Sequence, residues 1–231
     1  MTAYDVFNGD ADGICALLQL RLAEPREAVL ITGVKRDIQL LDKLDPAQAS
    51  TVTVLDVSLD KNREPLEALL AAGVPVFYCD HHFAGEIPAS EHLDAHINTA
   101  PNVCTSLLIN GHLGGAHAHW AVVGAFGDNL QESALAAARA AHLDAATIDL
   151  YRRLGTYINY NGYGAAIEDL HFPPADIYRL MLPFAEPRQF VADAAAVFQQ
   201  LESGYQDDMA RAESLQPVWS QDCAAVFTLP E

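Results

Sequence analysis

The sequence contains four acidic points, and each of them follows a hydrophobic run. They are the Asp10-Ala11-Asp12-Gly13 turn, Asp56, Asp80-His81-His82 and Asp128. In an open parallel α/β sheet, ligands bind outside the carboxyl ends of the strands. Carboxylates and imidazoles gathered there would repel or desolvate one another without a cation, and this donor set suits Mn²⁺ or Mg²⁺. The pattern therefore predicts a metal site built from strand ends.

The first hundred residues alternate between predicted strands and helices, which is typical of right-handed βαβ crossovers. The strands are largely apolar and rich in β-branched residues, as expected for burial on both faces. The predicted strands are Ala3–Asn8, Ala28–Val34, Thr51–Asp56, Val76–Asp80 and Ala95–Asn98. The predicted helices between them are Ile14–Leu22, Ile38–Leu44 and Asn62–Ala72. We therefore expect an α/β fold with a parallel, doubly wound sheet of about five strands.

After Pro101 the pattern becomes helical, and we expect a helical C-terminal extension. The predicted helices are Val103–Asn110, His119–Phe126, Glu132–Ala141, Ala145–Ile158, Ala175–Leu182 and a long helix at Gln189–Leu215. We expect a metal-binding catalytic domain at residues 1–130, and a helical extension or interdomain linker at residues 131–231.

The composition limits the classes of partner. The formal net charge is −18 over 231 residues, which disfavours long nucleic-acid backbones and counts less against small anions held by metals. The sequence has no apolar run of about 18 residues or more and no hydrophobic signal core at its start. We therefore expect a cytoplasmic protein with no membrane partner. The four widely spaced cysteines are expected to be small buried hydrophobes in a reducing compartment: Cys15, Cys79, Cys104 and Cys223.

Each acidic point has an ordinary explanation when it is taken alone. The Asp-Gly pair at residues 12–13 is a common turn, and Asp56 can be a solvated strand end. Asp80-His81-His82 can be a polar loop, and Asp128 can cap the helix that follows it. The combination of all four points is harder to explain in this way.

The order Asp-x-Asp-Gly, Asp, Asp-His-His, Asp over roughly residues 4–130 resembles the DHH phosphoesterase superfamily. That group includes RecJ-type exonucleases, nanoRNases, cyclic-dinucleotide phosphodiesterases, exopolyphosphatases and the related manganese pyrophosphatases. The resemblance implies two Mn²⁺ ions, with Mg²⁺ as the alternative, bound by Asp10, Asp12, Asp56, His81 and Asp128. By the same resemblance, Asp56 would bridge both ions and His82 would contact phosphate.

The sequence departs from this family pattern in two ways. Family members often carry His before the first aspartates, whereas this chain has Asn8 and Val6 there. Asparagine is a weak, neutral ligand, so the first metal site is expected to be looser or tolerant of Mg²⁺. The family's Gly-Gly-Gly-His motif is also missing, because Gly114-Gly115 lies too early. We therefore expect the C-terminal substrate-binding domain to be absent from this chain.

Lys35 and Arg36 follow the second predicted strand and are therefore expected on the crevice side of the sheet. They are candidates for holding a substrate phosphate, and a solvated turn is the equal alternative.

Further candidates have structural explanations of comparable weight. Asn98, Thr105 and Ser106 flank the start of a helix that could bind an anion or simply be capped by them. The Tyr157–Gly164 stretch could stack a base or form a packed turn. We assign the three neighbouring histidines to the surface: His112, His117 and His119.

These patterns predict a metal-dependent phosphohydrolase that cleaves phosphoester bonds of small nucleotides or short single-stranded oligonucleotides by metal-bound water. His82, Lys35 and Arg36 would stabilise charge on the phosphoryl oxygens. A RecJ-like single-strand exonuclease and an inorganic polyphosphate hydrolase are the alternatives. A non-catalytic nucleotide-binding module, in which Asn8 marks decay of the site, is the rival from another class. A second copy of the chain, in a homodimer, is a further candidate partner.

Overall fold

A five-stranded sheet forms the centre of the computed structural model, which describes residues 1–228. Its strands are β1 (Thr2–Phe7), β2 (Val29–Ile31), β3 (Ala49–Leu55), β4 (Val76–Asp80) and β5 (Leu93–Ile97). They lie in the order β2-β1-β3-β4-β5, and every neighbouring pair is parallel. The predicted fold class is confirmed.

Helices cover the sheet and make up most of the chain after β5. They are α1 (Ala11–Ala23), α2 (Arg63–Ala71), α3 (Thr105–His112), α4 (Ala118–Gly127), α5 (Gln131–Ala140), α6 (Ala145–Asn161), α7 (Pro174–Met181), α8 (Pro187–Asp193) and α9 (Ala195–Ser214). Within residues 1–228, no helix combines the length and hydrophobicity needed to cross a bilayer.

Two predicted helices differ from the structure. The Ile38–Leu44 segment forms only a 3₁₀ turn at Leu41–Lys43. The Asn62 side chain bonds the backbone there, accepting from the Leu41 N–H and donating to the Ile38 carbonyl. The predicted long helix is divided into α8 and α9, because the backbone of Ala194 leaves the helical region with φ −108° and ψ 38°.

The C-terminal region is not helical throughout. An antiparallel hairpin, β6 (Trp219–Gln221) and β7 (Ala224–Val226), follows α9 and is exposed along its length. Cys223 lies in the turn of this hairpin and is exposed, so the expectation that it is buried is wrong. The other three cysteines are buried as predicted.

Alternate residues of the strands enter two separate apolar clusters, because successive side chains of a strand point to opposite faces. Phe7, Leu55 and Cys79 join a cluster that contains residues of α1 and α4. Val6 and Val54 join the cluster on the other face, which contains residues of α2. Burial on both faces explains why the strands are so uniformly apolar.

The helices after residue 131 pack into the cluster that contains α1. Tyr151, Ile177, Phe190 and Leu201 all belong to it. The division into domains at residue 130 stays a prediction, although the described helices on its two sides share this core.

The strand order places a crevice at one edge of the sheet. The chain passes from β1 to β2 on one side, and then continues from β3 to β5 on the other side of β1. Such a reversal opens a ligand-binding crevice outside the carboxyl ends of the two strands at the switch point. Asp10 follows β1 and Asp56 follows β3, so both aspartates lie beside this crevice.

Candidate metal centre

Three of the four aspartates predicted as metal ligands converge on the imidazole of His81. Its Nε2 atom lies 3.3 Å from Asp56 Oδ1, 3.7 Å from Asp128 Oδ2 and 3.9 Å from Asp12 Oδ2. Asp12 and Asp56 are buried, and His81 and Asp128 are partly exposed. Three carboxylates and one imidazole nitrogen therefore face one another across the crevice, as in sites for hard divalent cations.

The expectation that all these residues come from strand ends is wrong for Asp128. The apolar run before it, residues 121–126, lies inside α4 and not in a strand. Asp128 is the residue that ends α4, and it does not cap α5, whose N-cap is Leu130. The cluster is thus built from three strand ends and one helix end.

Asp10 is positioned by the first turn of α1. Its Oδ1 atom accepts hydrogen bonds from the backbone N–H groups of Asp12 (3.0 Å) and Gly13 (3.1 Å), which makes it the N-cap residue of the helix. A Cβ atom at position 13 would collide with the carbonyl oxygen of Asn8. Glycine at this position therefore lets the end of β1 pack against the turn that carries both aspartates.

Asp12 is held by the N-terminus of α3. The backbone N–H groups of Thr105 and Ser106 each donate to one of its carboxylate oxygens, both at 2.7 Å. The Thr105 hydroxyl also donates to Asp56 Oδ1 at 3.1 Å. These helix N–H groups were candidates for anion binding, and the anion that they bind is the protein's own Asp12 carboxylate.

Asp56 adopts a left-handed backbone conformation with φ of 60°, which non-glycine residues rarely adopt. Its N–H donates to the Cys79 carbonyl at 3.1 Å, linking the ends of β3 and β4. Backbone outliers of this kind concentrate at functional sites, where surrounding structure enforces them. The conformation places a buried carboxylate at the centre of the cluster.

Burial and mutual repulsion make the cluster electrostatically unfavourable without a cation. Burial, followed by the charges of Asp12 and Asp10, raises the pKa of Asp56 well above its usual range. Burial and then Asp12 raise the pKa of Asp128 to about 6. Burial acts to raise the pKa of Asp10, but the charge of Lys35 together with hydrogen bonds from Lys35 and the Gly13 N–H lowers the pKa overall. A bound cation would relieve this repulsion.

Lys35 reaches into the cluster, whereas Arg36 does not. The Lys35 ammonium lies 2.6 Å from Asp10 Oδ2 and 3.9 Å from Asp128 Oδ1. Burial lowers the pKa of Lys35, but Asp10 more than offsets this and the pKa is raised. The Arg36 side chain is exposed and forms no ion pair with the cluster in the described chain. Lys35 therefore pairs with carboxylates of the cluster, and the role of both residues in binding phosphate stays a prediction.

His82 lies beside His81 and is oriented by Asp80. Its Nδ1 atom is 2.7 Å from Asp80 Oδ1 and 3.9 Å from Asp56 Oδ1. The hydrogen bond from Asp80 raises the pKa of His82, although burial acts in the opposite direction. A buried carboxylate that fixes an imidazole in this way sets its tautomer and favours its charged form.

The remaining candidates lie outside the cluster or have structural contacts. Asn98 Oδ1 accepts from the Ala100 N–H within a turn. Tyr157 and Tyr160 pack against Tyr205 of α9. His112 packs on Phe77 and His96, and His119 contacts Tyr151.

Two residues near the crevice were not recognised from the sequence. Asn159 of α6 accepts a hydrogen bond from the Lys35 ammonium at 2.9 Å, and Phe83, directly after His82, is 73% exposed. Asn159 lies 124 positions from Lys35, so no local pattern could have paired them. Phe83 could have been singled out as a large aromatic residue next to the two histidines.

The donor set fits a divalent metal ion. Carboxylates dominate it, one imidazole is in place, and its carboxyl groups carry more negative charge than Lys35 can balance. In addition, the buried Oδ1 atom of Asn8 and Oδ2 atom of Asp80 accept no hydrogen bond from residues 1–228. Oxygen ligands with an imidazole suit Mn²⁺ and Mg²⁺ better than softer metals.

Neither a protein-family model nor a curated protein matches the sequence. Solved structures match its fold, and two of them are RecJ exonucleases. One is exonuclease RecJ bound to manganese, with a TM-score of 0.60 and 17% identity over 92% of this chain and 64% of that chain. This chain has the RecJ fold. RecJ from Thermus thermophilus in complex with Mn²⁺ matches with a TM-score of 0.59 and 17% identity over 92% of this chain and 37% of that chain. The chain thus spans less than two thirds of either RecJ chain.

Proposed function

We propose that this chain is a metal-dependent phosphohydrolase of the DHH superfamily. The observation that carries the proposal is the convergence of three carboxylates on His81 Nε2, within 3.3–3.9 Å, at the switch point of the sheet. The RecJ fold supports it, because both RecJ structures contain manganese. A site of this kind suits the hydrolysis of phosphoesters.

The proposed metal ligands are drawn from Asp12, Asp56, His81 and Asp128, and Asp10 completes the set that the sequence predicted. Mn²⁺ is the expected metal and Mg²⁺ the alternative, since both accept carboxylate oxygens. A bound ion would supply Lewis acidity toward a phosphoryl oxygen and a nucleophile active at neutral pH.

His82 is the residue that we expect to contact the phosphoryl group. Asp80 holds its ring and favours the charged imidazolium, and the side chain is 43% exposed at the crevice. A fixed cation of this kind stabilises the negative charge that develops on phosphoryl oxygens during hydrolysis. Arg36 is exposed and forms no ion pair with the cluster in residues 1–228, so it remains a candidate for binding phosphate from solvent.

The preferred substrates are small nucleotides or short single-stranded oligonucleotides. The net charge of −18 opposes long nucleic-acid backbones. Two exposed rings flank the site: Phe83 follows His82, and the Lys35 ammonium lies 5.5 Å from the ring of Tyr163, which is 52% exposed. Aromatic rings of this kind stack nucleobases, which polyphosphate lacks. The RecJ fold keeps single-strand exonuclease activity as the second candidate.

The proposal is tested with a substrate panel in the presence of Mn²⁺. A 5′-phosphorylated dinucleotide, a long single-stranded oligonucleotide and polyphosphate would be compared, with and without a chelator. We expect the dinucleotide to give the highest kcat/KM and the His81→Ala variant to be inactive. The matched control is His92→Ala, which removes an imidazole outside the cluster. Binding of the dinucleotide without turnover at saturating Mn²⁺ would favour the non-catalytic module instead.

Two further measurements refine the reaction and the substrate. Direct attack by water predicts that solvent ¹⁸O enters the phosphate product, and a trapped phosphoenzyme would contradict this route. Phe83→Ala should weaken dinucleotide binding by about 1–3 kcal/mol if the ring stacks a base. The hydrolysis of a phosphoester without a base should not change.

A further inference from the structure

The ammonium group of Lys35 is already bound by residues of the folded chain, Asp10 and Asn159 among them. We propose that its ammonium group takes the place of one of the two metal ions, so that the centre holds a single divalent ion beside a permanent cation of the protein. The inference rests on the proposed function, because it concerns the same metal centre.

The ammonium group lies among carboxylates that the family resemblance assigns to the two metal ions. Its Nζ atom is 2.6 Å from Asp10 Oδ2 and 3.9 Å from Asp128 Oδ1. The Asp10 carboxyl in turn contacts that of Asp56. Lysine is a compact point charge with several hydrogen-bond donors. It can therefore neutralise these oxygens in the position where a second ion would otherwise do so.

Lys35 is anchored by the C-terminal end of α6. Its backbone N–H donates to the Gly162 carbonyl at 2.8 Å, and its ammonium donates to Asn159 Oδ1 at 2.9 Å. The ring of Tyr163 lies 5.5 Å from the same ammonium, within the range of a cation–π interaction. Three neighbouring residues thus fix both ends of the side chain, so its position is part of the folded structure.

Asn8 removes the ligand that a second ion would need. It is only 6% exposed and its Oδ1 atom has no hydrogen-bond partner in residues 1–228. A neutral amide oxygen offsets less of the charge of a divalent ion than a carboxylate does. A second divalent ion would therefore gain little from Asn8 and would be repelled by the ammonium at Asp10. Asp12, His81 and Asp128 offer atoms that lie within 4.8 Å of one another, and these remain available for one ion.

The test is the number of Mn²⁺ ions bound per chain, measured by equilibrium dialysis with metal analysis and by electron paramagnetic resonance. For the wild-type chain we expect one ion with the spectrum of isolated Mn²⁺. His81→Ala should lose that ion. Lys35→Met, which keeps the length but not the charge, should bind a second ion at millimolar Mn²⁺. Lys43→Met is the matched control, since Lys43 pairs with the exposed Asp37 outside the cluster, and it should keep one ion.

Asp10→Asn provides a second test that does not depend on folding of the Lys35 variant. Asparagine preserves the helix cap, and the single ion should be retained because Asp10 is bound by Lys35 and not by the metal.

Each outcome bears on a different claim. Two exchange-coupled ions in the wild type would overturn the replacement by lysine but leave the proposed function intact. A Lys35→Met chain that still binds one ion, or an Asp10→Asn chain that binds none, would also overturn it. A wild-type chain that binds no Mn²⁺ would contradict both the proposed function and this inference.

Discussion

Helix α1 has buried aspartates near both of its ends, and the two groups differ in how their charge is balanced. Near its C-terminal end, Asp5 of β1 accepts from the guanidinium groups of Arg21 and Arg26 at 2.6–2.7 Å. Near its N-terminal end, the carboxyl groups around His81 share one lysine. Burial alone therefore does not mark a functional carboxylate; an excess of unbalanced charge does.

The polarity of the helix favours this arrangement. Cations are stabilised near the C-terminus of a helix and anions near its N-terminus. Arg21 lies in the last turn of α1, whereas Asp10 and Asp12 lie at its start. The group around Asp5 is thus a balanced ion pair that joins β1 to α1, and the group around His81 is balanced only when a cation binds.

The largest effect on stability is expected at the balanced group. Arg21→Met should lower the free energy of unfolding by about 1.5–3 kcal/mol, because it removes two charge-assisted hydrogen bonds to buried Asp5 and leaves the partly exposed Arg26 as its remaining cation. Chemical denaturation measures this loss. Arg63→Met is the control, since Arg63 contacts the Ala84 carbonyl at the surface, and should cost less than about 1 kcal/mol. An equal loss in both variants would remove the distinction between the two groups.

At the unbalanced group around His81, we expect a substitution to increase the free energy of unfolding and not to lower it. With a chelator present, Asp56→Asn should raise the free energy of unfolding by about 1–2 kcal/mol, as substitutions that relieve strain at functional sites do. The same variant should lose Mn²⁺-dependent hydrolysis. Asp94→Asn, at an exposed position of β5, should change neither quantity. If Asp56→Asn destabilises the metal-free chain, the carboxylate is structural and the comparison fails.

The sequence predicted the sheet and most of the site, because both depend on local patterns. Alternation of apolar strands and helices predicted the five parallel strands. Carboxyl ends of parallel strands meet at one edge, and this brought Asp10, Asp56 and His81 together. The secondary structure of the segment before Asp128 was harder to predict, since a short buried apolar run is compatible with a strand or a helix.

Other features depended on contacts that no local pattern records. The ion pair of Lys35 with Asp10 is supported by Asn159, which is distant in sequence. Two three-residue strands formed the exposed hairpin after α9, and segments so short carry almost no periodicity. The expected cytoplasmic location and dimerisation stay predictions.

A smaller effect is expected from pH. The pKa of Asp128 is about 6 in the folded chain, against about 3.9 when unfolded. Between these values the folded chain binds more protons, so stability should fall as pH rises through this window. In a chelator, Asp128 should contribute a loss of about 1–2 kcal/mol from pH 4.5 to 7, and Asp56 adds to it.

Two controls separate Asp128 from other titrating groups. Asp128→Asn should make the fall of stability with pH less steep, and the remaining slope comes from Asp56, whose pKa is raised as well. Saturating Mn²⁺ should oppose the fall of stability with rising pH, because the metal binds deprotonated ligands and therefore binds more tightly as pH rises. A wild-type profile that matches that of Asp128→Asn would show that Asp128 is not responsible.

The most direct test of the metal centre is an anomalous difference map from crystals grown with Mn²⁺ and measured at the manganese absorption edge. A metal centre at this crevice predicts a peak contacted by His81 Nε2 and by carboxylate oxygens of Asp12, Asp56 and Asp128. A map with no peak among these four side chains, at a Mn²⁺ concentration that supports hydrolysis, would contradict it.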